Sequence, residues 1–172
     1  MDQRESRYRK LVKDNQLIIY KICRMFATDK ATVDELFQET LINFWKGLDK
    51  FRGDSKVSSW VYRIAFNTCI SYSRKRKQLR EVLPITADIE QCLSDIPSDK
   101  QAMIQQMYRL IGCLEELDKA IVILYLEEKT YDEIAEITGV HRNNVGSRIN
   151  RIKKKLKNMN DVTEKRRILC YH

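Results

Sequence analysis

Apolar residues recur at intervals of three and four along most of the chain, the spacing of helices that each bury one face. In the first run Leu11, Ile18, Ile22 and Phe26 share a stripe that Val12, Ile19 and Cys23 widen, which predicts a packing helix over residues 8–26. A second helix is expected from Thr32, where Glu35 has capping-box spacing, and it carries Leu36, Thr40, Leu41, Phe44, Trp45 and Leu48. A turn-rich group at 49–59 then breaks the pattern, and Ser58 or Ser59 is placed to cap a third helix with Val61, Ile64, Ala65, Thr68 and Tyr72 facing inward. Periodicity resumes after Pro84 and Pro97. Ser98 and Gln101 form another capping-box pair ahead of Met103, Met107, Leu110, Ile111 and Leu114, and Asp118 is placed to cap a helix holding Ile121, Val122, Leu124 and Tyr125.

The last pattern, at 130–156, is the most specific. Thr130 and Glu133 open a short helix with Ile134, Ala135 and Ile137; Gly139 ends it in a left-handed turn; Val145, Ile149, Ile152 and Leu156 then stripe a second helix. A small residue at the crossing, a turn glycine and a docking valine at these offsets make a helix-turn-helix. The pattern as a whole predicts an all-α protein, with two small helical domains joined by a flexible acidic linker and the helix-turn-helix in the second. The expected bounds are 1–80 and 100–160, with the linker at 81–99 and a tail at 161–172. Beyond Leu156 the chain is polar and basic, and Ile168 and Leu169 are too few to define a packed element, so a frayed or partner-dependent segment is expected.

Composition narrows the function. A net charge of +8 favours a polyanionic partner, although it does not by itself choose nucleic acid over an anionic membrane surface. The longest apolar run, 120–126, is too short to cross a bilayer and the N-terminus has no signal-peptide core, so a cytoplasmic protein without direct membrane insertion is expected. The 5 cysteines are scattered with no close pair, and the only histidines are His141 and His172. No metal site, cofactor site or histidine-based catalytic group is expected from such a set, nor a small-molecule substrate.

Three surfaces carry distinctive chemistry. Asp34, Glu35, Gln38 and Glu39 form an acidic and amide-bearing face in a basic protein; it is either an ordinary solvated face or a docking site for a basic protein partner. Trp60, Arg63, Asn67, Ser71 and Arg74 form a second stripe that runs on into Lys75, Arg76, Lys77 and Arg80. Aromatic rings stack unpaired bases while cations track phosphates, so this is the chemistry of single-stranded nucleic-acid binding. On the helix-turn-helix, Asn143, Ser147, Asn150, Arg151 and Lys154 point outward, with Arg142 and Arg148 adding cations; these side chains suit base edges and phosphates in a major groove. A regulator whose N-terminal helices sense a ligand or dimerise also accounts for the helix-turn-helix. It leaves the aromatic and basic stripe without a purpose.

Taken together, ELFQETLINFW at 35–45, FRGDSKVSSWVYRIAFNTCISYSRKRK at 51–77 and LDKAIVILYLEEKTYDEIAEITGVHRNNVGSRINRIKKKL at 117–156 resemble the bacterial RNA polymerase sigma factors of the small extracytoplasmic-function group. The resemblance implies a promoter-specificity subunit that makes and breaks no bonds itself. It implies that Asp34, Glu35, Gln38 and Glu39 bind the clamp coiled coil of the largest subunit of core RNA polymerase. It implies a minus-ten melting region comprising Phe51, Arg52, Gly53, Asp54, Ser55, Trp60, Arg63, Asn67, Arg74, Lys75, Arg76 and Lys77, in which a loop pockets a flipped base. The recognition helix would read minus-thirty-five promoter DNA through Arg142, Asn143, Ser147, Arg148, Asn150, Arg151 and Lys154. Gly146 departs from the pattern, standing where a cation is frequent, and His141 stands where Ser or Pro is common. The acidic linker would mimic nucleic acid near the active centre, and an anti-sigma factor is an expected regulator.

Overall fold

The computed structural model describes residues 3–51, 56–80 and 98–169, with side chains described for 3–51, 56–76, 103 and 106–161. Among the described residues all regular structure is helical, and the chain divides into two units, 1–94 and 95–172.

In the first unit α1 (Gln3–Phe26), α2 (Lys30–Gly47) and α3 (Val57–Arg80) pack pairwise, with a short 3-10 turn, Leu48–Lys50, after α2. The core comes from Ile19, Ile22, Cys23 and Phe26 of α1, Val33, Leu36 and Phe44 of α2, and Val61, Tyr62, Ala65, Phe66 and Cys69 of α3. Each large apolar side chain so buried contributes about 1.5–3 kcal/mol. On α1 the buried stripe is turned by one residue from the expected one, because the helix must face both α2 and α3: Ile19 and Cys23 are sealed while Leu11 and Ile18 are half-buried. The buried hydroxyls of Thr40 and Thr68 donate to the carbonyls of Leu36 (2.7 Å) and Ile64 (2.9 Å), so neither is left unsatisfied. Cys23 and Cys69 are buried free thiols, whereas Cys113 is exposed.

Two caps differ from expectation. Asp29, not Thr32, caps α2: its Oδ1 accepts the Thr32 backbone N–H at 2.7 Å, and Thr32 is buried inside the helix. That bond holds the Asp29 carboxyl below the usual carboxylate range. Its stabilising effect is therefore complete above the ordinary pKa and is lost as pH falls through the lowered folded value. Ser58 and Ser59 lie inside α3, whose first residue is Val57; Ser59 is buried.

The second unit is built from α4 (Ser98–Gly112), α5 (Glu116–Leu126), α6 (Tyr131–Thr138) and α7 (Arg142–Leu169). α5 lies at its centre, with Ala120, Ile121, Val122, Ile123 and Leu124 buried against Ile134 and Ile137 of α6 and Val145, Ile149 and Ile152 of α7. Thr130 and Glu133 form the expected capping box, each accepting a backbone N–H of the other, and Gly139 closes α6 in the left-handed region at φ 73°. Asp118 does not cap α5; Glu115 precedes the helix without a side-chain cap, and Asp118 sits in the first turn. Met103 and Met107, expected inside, are 77% and 40% exposed, whereas Ile111 and Leu114 of that set are buried. α7 continues to Leu169, through a stretch without Gly or Pro, and Gln106 of α4 hydrogen-bonds Asn160 along it.

The expected Ser98–Gln101 box concerns side chains outside those described, and the expected acidic linker lies outside the described residues as far as 97, with 98 and 99 belonging to α4. Among the described residues no helix is long and apolar enough to cross a membrane.

Candidate nucleic-acid and partner surfaces

In the first unit the face of α2 opposite the core exposes Asp34, Glu35, Gln38 and Glu39. Packing of α2 on α3 places two of them beside the second candidate set. A groove of about 620 Å³ runs between the helices, with Glu35 and Glu39 on one wall and Asn67, Tyr72, Lys75 and Arg76 on the other. Tyr72 bridges it, its hydroxyl donating to Glu35 Oε2 at 2.8 Å. Partial burial and then the Glu35 charge raise the Tyr72 pKa, so the phenol stays protonated as that donor. Sequence periodicity assigned Tyr72 only to the core.

The candidate melting residues do not form one open platform. Trp60 is half-buried between Phe44 (centroids 5.3 Å apart) and Phe51 (5.0 Å), and Gly47 lies under its ring, leaving 3.3 Å for any added Cβ. Asn67, Arg74 and Lys75 are exposed, and Arg63 is half-buried. Arg76 folds back, its Nη1 donating to Thr28 Oγ1 at 2.7 Å near the start of α2. Arg52, Gly53, Asp54 and Ser55 lie outside the described residues, as does the side chain of Lys77, which is on α3. Two cations that the apolar pattern did not single out stand close by. Arg4 lies over Trp45 at 4.2 Å and pairs with Asp49 at 2.9 Å, and Arg7 lies over Phe51 at 5.9 Å. Their only sequence signal is the basic run at 4–10 ahead of the first stripe.

In the second unit the outer face of α7 exposes Asn143, Ser147, Asn150, Arg151 and Lys154. His141 serves as the helix's N-cap: its Nδ1 accepts the Asn143 backbone N–H at 3.3 Å. Arg142 is exposed but tethered, with Nε 2.7 Å from Asp132 and the guanidinium 5.5 Å from the Tyr131 ring. Arg148 does not share the outer face. Its Nε donates to Asp118 Oδ1 at 2.6 Å, and the two side chains are only 25% and 15% exposed, so Arg148 ties α7 to α5. Gly146 has a structural reason, since a Cβ there would meet the Tyr131 ring at 3.2 Å. Among the described residues no group of His, Cys, Asp and Glu is arranged to hold a metal ion.

Family models match both units: Sigma-70 region 2 covers residues 11–79 and Sigma-70, region 4 covers residues 104–156. The ECF RNA polymerase sigma-E factor of Escherichia coli (strain K12) is 33% identical over 138 residues, spanning 73% of this chain and 72% of the relative. The chain belongs to the sigma-70 family, in its extracytoplasmic-function group. It is therefore a sigma factor, which directs promoter-specific initiation of transcription, and a helix-turn-helix regulator without that activity is not favoured. Solved sigma-factor structures share its fold. One, the sigma factor RpoE in complex with the anti-sigma factor NepR from Bartonella quintana, superposes with a TM-score of 0.74 at 18% identity, covering 90% of this chain and 97% of that one. Another, CnrH in complex with the cytosolic domain of CnrY, gives 0.65 at 21% identity, covering 92% and 90%.

On this sigma factor the α2 face and the α3 row thus lie on one unit and meet at the Glu35–Tyr72 bond. The exposed polar row of α7 lies on the other unit.

Proposed function

We propose that this sigma factor divides its work among three surfaces. Asp34, Glu35, Gln38 and Glu39 bind core RNA polymerase at the clamp coiled coil of the largest subunit. Residues 1–80 also separate the strands of the minus-ten element, with Trp60, Arg63, Asn67, Arg74 and Lys75, and the segment Phe51, Arg52, Gly53, Asp54, Ser55, beside the non-template strand. Capture of an unpaired base offsets the few kcal/mol lost in unstacking it. Residues 100–160 read the minus-thirty-five element through Asn143, Ser147, Asn150, Arg151 and Lys154, with Arg142 at their edge, while Arg148 positions the helix. The acidic segment 81–99 connects the two.

The observation that carries this division is the exposed acidic and amide face of α2, lying on the same unit as a row of amides and cations. The protein acts in the cytoplasm alongside the polymerase, and all bond chemistry belongs to that enzyme. Because the two structural neighbours were solved with NepR and with the cytosolic domain of CnrY, an anti-sigma factor is the proposed regulator. The test is in vitro transcription with core polymerase and a genomic DNA pool, with start sites mapped. Discrete, shared promoter sequences upstream of the starts are expected; stable core binding with no initiation anywhere would sink the proposal.

At the recognition face Arg151→Ala is expected to weaken promoter binding. If the guanidinium reads a base, preference at one position relaxes by about 1–3 kcal/mol. A phosphate contact instead lowers affinity for all sequences and flattens the salt dependence, so binding curves on a mutated promoter series at two salt concentrations separate the two.

A further inference from the structure

The aromatic side chains at the start of α3 form a ladder that ends in a cation from another helix. Buried Phe44 of α2 meets Trp60, Trp60 meets Phe51, and the Arg7 guanidinium from the second turn of α1 stands over Phe51 at 5.9 Å. Burial falls along it, from sealed Phe44 through half-buried Trp60 and Phe51 to exposed Arg7, so the ladder leads from the core to solvent. Residues 3–10 hold Arg4, Arg7, Arg9 and Lys10 against one carboxylate, Glu5. Arg9 is offset by Glu5 and Arg4 by Asp49. Arg7 faces no carboxylate among the described residues, and a cation over a ring at an exposed site gains little. Its exposed guanidinium is therefore open to an anionic ligand.

We infer that Arg7 and the outer face of Phe51 form a further contact point for the unpaired promoter strand, the guanidinium holding a backbone phosphate next to an unstacked base. Guanidinium forks match phosphate geometry, and rings flanked by cations are how proteins grip single strands without reading every base. The inference rests on the assignment of strand separation to the first unit, and it extends that site from α3 onto α1.

The experiment uses holoenzyme assembled with wild-type, Arg7→Ala, Arg7→Lys or Asn67→Ala protein. Each binds a promoter fragment whose minus-ten segment is unpaired by mismatch, and the same fragment fully paired, over a range of salt. Arg7→Ala is expected to weaken the unpaired complex roughly 5- to 10-fold and to reduce the slope of log affinity against log salt by about 0.7, with a smaller loss on paired DNA. Arg7→Lys should keep the slope. Core association, followed by native gel, should be unchanged; its loss would move Arg7 to the polymerase interface and overturn the inference. So would an equal loss on paired and unpaired DNA. If Arg7→Ala binds like wild type while Asn67→Ala is weakened, the Arg7 contact fails and the strand-separation site on α3 stands. If both bind like wild type, that site fails as well.

Discussion

Replacing Gln38 and Glu39 together by lysine is expected to abolish association with core RNA polymerase, lowering affinity on the order of 100-fold or more. Both side chains are exposed, and the buried side of α2 is formed by Val33, Leu36, Thr40 and Phe44, so the change removes no core contact. Lysine is also a good helix former, which keeps α2 intact. What changes is the sign of the surface: a face proposed to meet a basic partner becomes one that repels it, and like charges across an interface cost several kcal/mol. Glu35 is left untouched because it accepts the Tyr72 hydroxyl and so helps hold α3. Biolayer interferometry against immobilised core, with a thermal melt as control, measures the effect. Unchanged association with an unchanged melt would show that α2 has been given the wrong partner.

Arg148→Ala should act on the fold of the second unit rather than on base preference. Its partner Asp118 would be left with a mostly buried, uncompensated carboxylate, a situation costly in low dielectric. The first turn of α5 tempers the cost, since a helix N-terminus favours negative charge. A net loss of about 2 kcal/mol is expected, which for a unit of this size lowers the melting temperature by roughly 10 °C. Promoter binding should fall evenly across sequences. Asp118→Asn should show a similar deficit, and the double variant should lose less than the sum of the two. Circular-dichroism melts of the four proteins complete the cycle. An unchanged melt together with relaxed preference at a single base pair would return Arg148 to the DNA-reading set.

The difference between these residues marks what a sequence exposes. The helix-turn-helix was legible because all its signals are local: Thr130 and Glu133 cap each other, Gly139 needs its left-handed turn, and Val145, Ile149 and Ile152 share one stripe. Arg148 was not, because its partner Asp118 lies 30 residues away in the sequence. Trp60 was placed on an outward stripe by periodicity, yet Phe44 and Phe51 from other segments draw its ring inward. At the start of α2 the expected opening at Thr32 is displaced by Asp29, three positions earlier, whose carboxylate takes the Thr32 N–H. Met103 and Met107 have helical spacing, but spacing does not show whether another element covers a stripe.

The contact between Tyr131 and Gly146 bears on how promoter preference in this lineage can drift. An alanine at 146 gains about 1 kcal/mol of helix propensity, yet its Cβ must displace the Tyr131 ring by a few tenths of an ångström. A long cationic side chain there also competes with Arg142 for its seat over that ring. Shrinking Tyr131 first opens the space and makes the second step easy, whereas the reverse order passes through a crowded intermediate. If α7 reads the minus-thirty-five element as proposed, the mutational path to a new preference runs through the first helix of the motif before it reaches the second.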